Sequence, residues 1–449
     1  MSGGKALFGR ESVRLIAVAV VAAAIAVGVV EATKGSSHGS AAHGAGASSL
    51  TIAGGQTAQG ATGGHSAGGT PATAVADGAA VVRSLRAGVM KVVIDTPPAG
   101  PLSEQNEAIE QGAEVAADEV DGSGGVLHGV KLDLVREDLD GLSASALKAR
   151  LSADAAAALI LPCDTPSEVS LAREAASFGT LMLAPCNADQ EASRSYPGYW
   201  PVGSSPSDEA KALAIYMVER NIKRVFIVGV TGAGYAEQFT SAFRSAVQAE
   251  GIKIVGGASV PATGGNFSGV LSAYEGIRPL PTSIFAALAP PRADELALSF
   301  YHNGLHPVVL DSTVLDTAGA LSTATLTPMQ AVTFTSYGFA RVDAAASRFA
   351  GEYRRDFARA PVGSFPGLGF EAIRLLAAAA AKGHSAEPSA IERALSSGLT
   401  LQGVALASRT YAKGTSHDPL TEVGLAKVYT SELYELLALS TEVLNRTVH

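Results

Sequence analysis

Cys163 and Cys186 are the only thiols in the 449-residue chain, and their chemistry is limited to a disulfide or two free thiols. Two cysteines are too few for a multi-thiolate zinc module. Further along, Thr231-Gly232-Ala233-Gly234-Tyr235 forms a glycine-rich loop. A dinucleotide fingerprint requires a third glycine where Glu237 stands, so the loop reads as a small-residue ligand loop and not a nucleotide site. Glu137, Asp138 and Asp140 could be taken for metal ligands. Asp140-Gly141 marks a turn there, and a solvated loop is the better reading. His302 and His306 are four apart, but Gly304 and Pro307 break the helix that would align them. Gly64-His65-Ser66-Ala67-Gly68 matches the pattern of a hydrolase nucleophile elbow. It lies in a glycine- and alanine-rich stretch without the strand and helix that motif needs. No nucleophile, base and orienter converge, so the chain is not read as an enzyme, and neither cofactor nor metal is expected.

The cysteines are positioned by the elements around them. Ala156–Leu161 is a short apolar run that reads as a buried strand. Thr165, Pro166 and Glu168 have capping-box spacing with proline at the first helical position, and the helix runs to about Phe178, with Gly179 as its cap. Leu181–Ala184 is a second strand, stopped by Pro185. Strand, helix and strand in so short a span imply adjacent parallel strands joined by a right-handed crossover. Both cysteines then lie past the carboxyl ends of neighbouring strands, at the rim where open parallel sheets bind ligands. Strands about 4.8 Å apart permit a disulfide, which wants Cα atoms roughly 4.4–6.8 Å apart. Two unpaired thiols in a small-residue loop remain the alternative.

The same rhythm runs on both sides. Val89–Ile94 is the first strand, Asn106–Val120 a helix opened near Ser103, Val130–Val135 a strand and Ala144–Ala153 a helix. The glycine- and proline-rich stretch Ser195–Ser207 reads as a crossing. Beyond it come helix Asp208–Arg220, strand Arg224–Val230, helix Ala236–Ala249 and strands at Ile252–Val260, Ser283–Leu288 and Val308–Leu310, the last leading into Asp311. Helices over Asp343–Phe357, Gly369–Lys382 and Pro388–Leu395 return to the first half. Thr400–Val404 and Lys427–Tyr429 read as closing strands, and Ser431–Leu444 as a final helix.

Charged residues make up only 17% and the net charge is −9, which excludes the clustered basic surface of a nucleic-acid binder. With 47% hydrophobic residues the chain can bury a large core, and its length calls for more than one lobe. Lys5, Arg10 and Arg14 precede the apolar run Leu15–Val30, a basic flank and apolar core typical of an export signal. As a helix that run would reach about 24 Å against a hydrocarbon core of about 30 Å. A retained signal anchor and a cleaved peptide both remain open; either way the bulk of the chain is extracytoplasmic. Lys34 onward is rich in Gly, Ala, Ser and Thr and reads as a flexible linker.

The order of these elements resembles the type I periplasmic binding proteins of the branched-chain amino-acid group, the solute receptors of ABC importers. The resemblance spans about Gly88 to Thr430. It is carried by Gly100-Pro101, Gly112-Ala113, Gly124-Gly125 with Gly129, the strand ends at Cys163 and Cys186, Gly234-Tyr235 and Gly304-Leu305. It implies an α/β fold of two doubly wound parallel-sheet lobes joined by three hinge crossovers, with a solute in the cleft. The implied organisation is a signal or anchor over 1–33, a linker over 34–85, a first lobe from 86–203 plus 335–418, a second from 204–334 plus 419–432, and a helical tail over 433–449.

The resemblance also implies a ligand set: Asp164, Thr165, Cys186, Asn187, Ala188, Tyr235 and Asp311. Asp164 stands where the family has a serine that grips the solute carboxylate. Ala188 stands where a threonine is usual, and a family tyrosine is missing near Ala289. Tyr235 matches the aromatic of the second lobe, and Asp311 the acid that meets the ligand amine. An aspartate where a carboxylate should dock repels an α-amino acid. The expected solute is therefore not an ordinary branched-chain amino acid but something cationic, amide-like or peptidic. A monomer and an ABC permease as partner follow from the same resemblance, and the charge balance leaves no place for a nucleic acid. The competing readings are a sensory module and a ligand-free structural or protein-binding module of the same fold.

Overall fold

The computed structural model describes residues 72–440 except 98–101, 164, 187–189, 197, 318–331, 339–343, 405–407, 414–416, 418, 420–421 and 431–432. The apolar run at 15–30 lies outside the described residues; among those described, no helix is long and apolar enough to cross a membrane.

The first sheet contains β1 (Val89–Asp95), β2 (Lys131–Glu137), β3 (Ala156–Ile160), β4 (Met182–Ala184) and β5 (Tyr199–Pro201). Its order is β2-β1-β3-β4-β5 and every pairing is parallel. The central strands VMKVVID and AAALI are buried along most of their length, as expected of strands covered on both faces. Helices α2 (Ser103–Gly122), α3 (Ala144–Ala153), α4 (Thr165–Ala176) and α5 (Gln190–Ser195) make the crossovers.

After α6 (Pro206–Glu219) a second sheet begins. It contains β6 (Arg224–Thr231), β7 (Lys253–Pro261), β8 (Ser283–Ala286), β9 (Val308–Asp311) and β10 (Val332–Ser336), interleaved with α7 (Gly234–Ala249), α8 (Ser268–Glu275) and α9 (Arg292–His302). These five strands are parallel, in the order β10-β9-β8-β6-β7. Two antiparallel strands, β13 (Glu422–Thr430) and β14 (Leu433–Ser440), extend the sheet past β10. The core here is aromatic: Phe243 stacks on Phe285 with ring centroids 3.9 Å apart, and Tyr274 meets Phe300 edge to face.

Between the two passages through the second sheet, α10 (Ala344–Phe357), α11 (Phe365–Gly383) and α12 (Pro388–Ser396) add to the core of the first, with the hairpin β11 (Leu399–Gln402) and β12 (Ser408–Tyr411). Helices α2 and α11 pack against each other through paired glycines. A Cβ at Gly112 would collide with the Pro366 carbonyl, and one at Gly369 with that of Ile109, so the two backbones come close only because both side chains are absent.

Three expectations are corrected. The linker expected over 34–85 ends earlier, because Ala72–Arg86 forms helix α1. Its Val81 and Leu85, one turn apart, pack on the first core, and that burial offsets the entropy a glycine-rich linker would keep. Tyr199–Pro201, read as part of a crossing, is strand β5. The tail expected as a helix over 431–444 is strand β14, paired with β13 from Glu422 opposite Ser440 to Thr430 opposite Leu433. Leucine- and alanine-rich residues favour a helix in isolation. A sheet edge offered by β13, which ends at Thr430, overrides that propensity.

Candidate functional site

On the first lobe, the tips of β3 and β4 are tied together by a Cys163–Cys186 disulfide, with Cα atoms 5.6 Å apart. Both cysteines are buried, and the Cys163 amide donates to Asn106 Oδ1 of α2 at 2.7 Å. Cys186 therefore contributes a rigid floor and not a free thiol. The bond closes a loop of 23 residues, for which about 2–4 kcal/mol of stabilisation is expected. Replacing both cysteines by serine should lower the unfolding free energy from urea titration by that amount; an unchanged free energy would show that the bond contributes nothing. Beside it, the Tyr199 hydroxyl donates to buried Glu168. Asp95, at the tip of β1, accepts from the Leu139 amide at 2.9 Å, and burial pushes its carboxyl up to about 6. Asp164, Asn187 and Ala188 lie outside the described residues. Thr165 opens α4.

On the second lobe the structure brings Tyr235 and Asp311 to the same rim. Tyr235 begins α7, is 2% exposed, and its hydroxyl lies 3.0 Å from Thr313 Oγ1. Asp311 ends β9 and is equally buried. Its Oδ1 accepts from the Ser312 amide at 2.7 Å and from the Leu288 amide at 3.2 Å, so it fastens the end of β9 to the end of β8. Burial holds its carboxyl well above the usual range, the two amides pulling the other way. Asp311 thus has a structural occupation that the sequence did not announce.

Glu209 is the group that sequence reasoning missed. It lies in the first turn of α6, fully buried, and its Oε2 accepts from Thr335 Oγ1 at 2.6 Å. The hydroxyls of Thr313 and Tyr337 also bear on it. Burial pushes Glu209 up to about 8, outweighing those three hydroxyls, so it holds its proton at neutral pH. A signal was available: Glu209, Leu213 and Met217 fall at i, i+4 and i+8, so a glutamate stands on the apolar stripe of the helix. Its neighbour Asp208 does the conventional work of the first turn, pairing with Ser205 Oγ, the N-cap, and with Lys211.

The two rims face each other closely. Helix α4 of the first lobe touches α7 of the second. Leu102 packs against both cores, and the buried Gln105 Nε2 donates to the Val314 carbonyl at 3.1 Å. Buried acids, Asp95, Glu209, Asp311 and Asp316, line the strand tips. The Glu137, Asp138 and Asp140 stretch behaves as a loop: Glu137 pairs with Arg150, and the Asp140 amide turns back to Asp138. Among the described residues no group of three or more His, Cys, Asp or Glu side chains is arranged to hold a metal. The arrangement is that of a clasp lined by buried acids and hydroxyls, groups that can hold a small solute by hydrogen bonds.

Comparison with known proteins agrees with this geometry. The family model described as periplasmic binding protein matches residues 89–430. No curated protein matches the sequence. Among solved structures, the branched-chain amino acid transporter substrate-binding protein LivJ from Streptococcus pneumoniae, in complex with isoleucine, superposes with a TM-score of 0.67 at 18% identity, over 78% of this chain and 100% of that one. A solute-binding protein of an ABC transporter from R. palustris, in complex with benzoate, gives 0.66 at 16% identity, over 79% and 96%. An ABC transporter substrate-binding protein from Desulfitobacterium hafniense, in complex with leucine, gives 0.63 at 22% identity, over 78% and 99%. The fold is the type I periplasmic binding fold, and the proteins that share the family are solute-binding proteins, not enzymes. The chain belongs to the periplasmic binding protein family.

Proposed function

We propose that the protein is the extracytoplasmic solute receptor of an ABC-type importer, closing its lobes around an amino acid or related small polar solute. The observation that carries this reading is the cluster of Tyr235, Glu209 and Thr313 on the second lobe, set against the disulfide-pinned rim of the first. Family members are extracytoplasmic solute-binding proteins, which agrees with the export signal before Leu15–Val30. In this reading that run tethers the protein, an ABC permease receives the solute, and the hinged units are 86–203 plus 335–418 and 204–334 plus 419–432. The polar contacts come from Tyr235 and Glu209 on one side and from Asp164, Thr165 and Asn187 on the other, with Ala188 an apolar member of the set. So acidic a lining favours a solute rich in hydrogen-bond donors, an amine or an amide, over one bound through a carboxylate.

A thermal-shift panel of neutral and basic amino acids, primary amides, short peptides and aromatic carboxylates tests the proposal. At least one donor-rich solute should raise the melting temperature, since anything that binds only the native state stabilises it. Tight binding of leucine would contradict the donor-rich solute, and no shift across the panel would contradict a receptor. In the latter case a ligand-free module of the same fold becomes the better reading. It is favoured by one observation: Tyr235, Asp311 and Cys186 are already satisfied by neighbours.

A further inference from the structure

Strand β7 ends the second sheet, and its outer side has no neighbouring strand. Strands of a parallel sheet are normally covered. Its neighbour β6 is buried along most of its length, whereas in β7 only Val260 is fully buried. A groove of about 530 Å³ runs beside β7, lined by residues 254–259 and by Arg244 of α7.

An edge strand bonds its neighbour through every second residue, and the residues between turn their N–H and C=O outward. Proteins blunt such edges with charge, proline or a covering segment. The first sheet does so on both sides. Strand β2 carries Lys131, Asp133, Arg136 and Glu137, and Arg136 pairs with Glu110 and Glu114 of α2. At β5 the Tyr199, Pro201 and Val202 carbonyls are taken by His417, Tyr411 and Arg409. On β7 the charge and the proline stand only at the ends, at Lys253 and Pro261. Residues 254–259 between them span about 20 Å, room for a strand of ordinary length.

Two glycines keep this edge bare. A Cβ at Gly256 would strike Ile277, 2.5 Å away, and one at Gly257 the Ile227 carbonyl of β6 at 2.8 Å. Their own neighbours therefore fix both as glycine, and no side chain at either position shields the backbone. Beside Gly257 lies Arg244, its Nη2 3.9 Å from where that Cβ would be. Arg244 is exposed and, among the described residues, makes no hydrogen bond or ion pair.

These features select the occupant. Donors and acceptors alternating at strand spacing match another extended backbone and not a compact solute. One guanidinium with no acid of its own matches one carboxylate, held by both arms of its fork. A net charge of −9 disfavours a polyanion. A second copy of the chain fits worse than a different partner. A two-fold axis through Gly257 would set two Arg244 guanidiniums side by side, and like charge opposes that. We propose that β7 is a docking edge that takes an extended segment of a partner protein as an added strand, with an aspartate or glutamate of that segment on Arg244. The groove shares no residue with the Tyr235–Glu209 cluster, so the partner binds without occupying the solute cleft.

Fluorescence anisotropy with the whole protein tests this. The probe is a labelled peptide of alternating valine and threonine with one central glutamate. Its relatives carry glutamine or lysine at the centre, or are N-methylated on one or the other alternate set of amides. The glutamate peptide should bind saturably and slow hydrogen exchange within residues 254–259. Glutamine in the peptide, or Arg244→Met in the protein, should weaken binding about three- to tenfold. Arg244→Glu should reverse the preference in favour of the lysine peptide, and a change at so exposed a position should leave folding intact. At least one methylated peptide should fail to bind, because its methyl groups block the strand pairing. Absence of saturable binding by the glutamate peptide overturns the proposal. Equal binding by the parent and both methylated peptides shows an adventitious ion pair only and overturns it too. So does exchange protection confined to residues outside β7. A dimer of the peptide-free protein, with protection of β7 that fades on dilution, assigns the edge to a second copy and likewise overturns it.

Discussion

Glu209→Gln should remove a large share of the pH dependence of stability that the wild-type protein shows between mildly acidic and alkaline solution. The carboxyl of Glu209 is raised from 4.5 to about 8 by burial. Below pH 4.5 it is protonated both folded and unfolded, and its contribution is fully present. Between 4.5 and about 8 the unfolded chain releases the proton while the folded protein keeps it. Stability therefore falls as pH rises, by up to about 1.4 kcal/mol per pH unit, and levels off once the folded group also ionises. Over that window the loss is about 5 kcal/mol, an upper figure because water can enter as the lobes loosen. Asp95 and Asp316, both raised to about 6, act in the same direction over a narrower range. Urea unfolding near about pH 5 and about pH 9 measures the effect. Wild type should lose stability at the higher pH, and the glutamine variant should lose much less. Equal losses in the two proteins would mean that Glu209 is not held neutral.

A loss of about 3–5 kcal/mol is expected for Arg409→Met. Arg409 and Glu371 form an ion pair, each 1% exposed. Glu371 Oε1 also accepts from the Val404 amide at 2.8 Å, and Arg409 Nε donates to the Val202 carbonyl at 2.5 Å. The arginine thus fastens the β11–β12 hairpin to the crossing after β5, where Tyr411 also donates to Pro201. Removing the guanidinium strands a carboxylate in a dry interior, which costs more than the pair contributes when intact. Arg409→Met combined with Glu371→Leu should accordingly recover a good part of the loss. Chemical denaturation of the two single variants and the double variant supplies the cycle. Additive losses would show that the two side chains are not coupled.

Legibility followed the locality of the signal. The disulfide could be read because two apolar runs, a cap and a proline made β3 and β4 adjacent and parallel, and strand spacing did the rest. Strands β1, β6 and β8 announced themselves as apolar runs, and α4 by its cap. Tyr235 stands out through the family resemblance, and the structure places it at the start of α7, on the rim of the second sheet. What failed was non-local. Strand β5 is only three residues, below what periodicity can register, and exists because β4 offers an edge. Strand β14 exists because β13 offers another. Helix α1 was hidden by small residues continuous with the linker and is held by Val81 and Leu85 on a distant core. Asp311 stands out as a ligand acid through the resemblance; that its Oδ1 also takes the Leu288 and Ser312 amides is a contact in space that the sequence does not announce. Glu209 and the Glu371–Arg409 pair needed three dimensions, since a buried charge is recognised by its surroundings and not by its spacing.

The central claim is that two lobes close on a solute. Nitroxide labels at Ser170→Cys on α4 and Ser241→Cys on α7, both exposed positions, report the distance across the cleft, and the native cysteines are bonded and do not compete for label. With the solute that gives the largest thermal shift, the distance distribution should be short and narrow, as the contact between α4 and α7 requires. Without it the distribution should broaden to longer distances. Identical distributions with and without saturating solute would contradict the account.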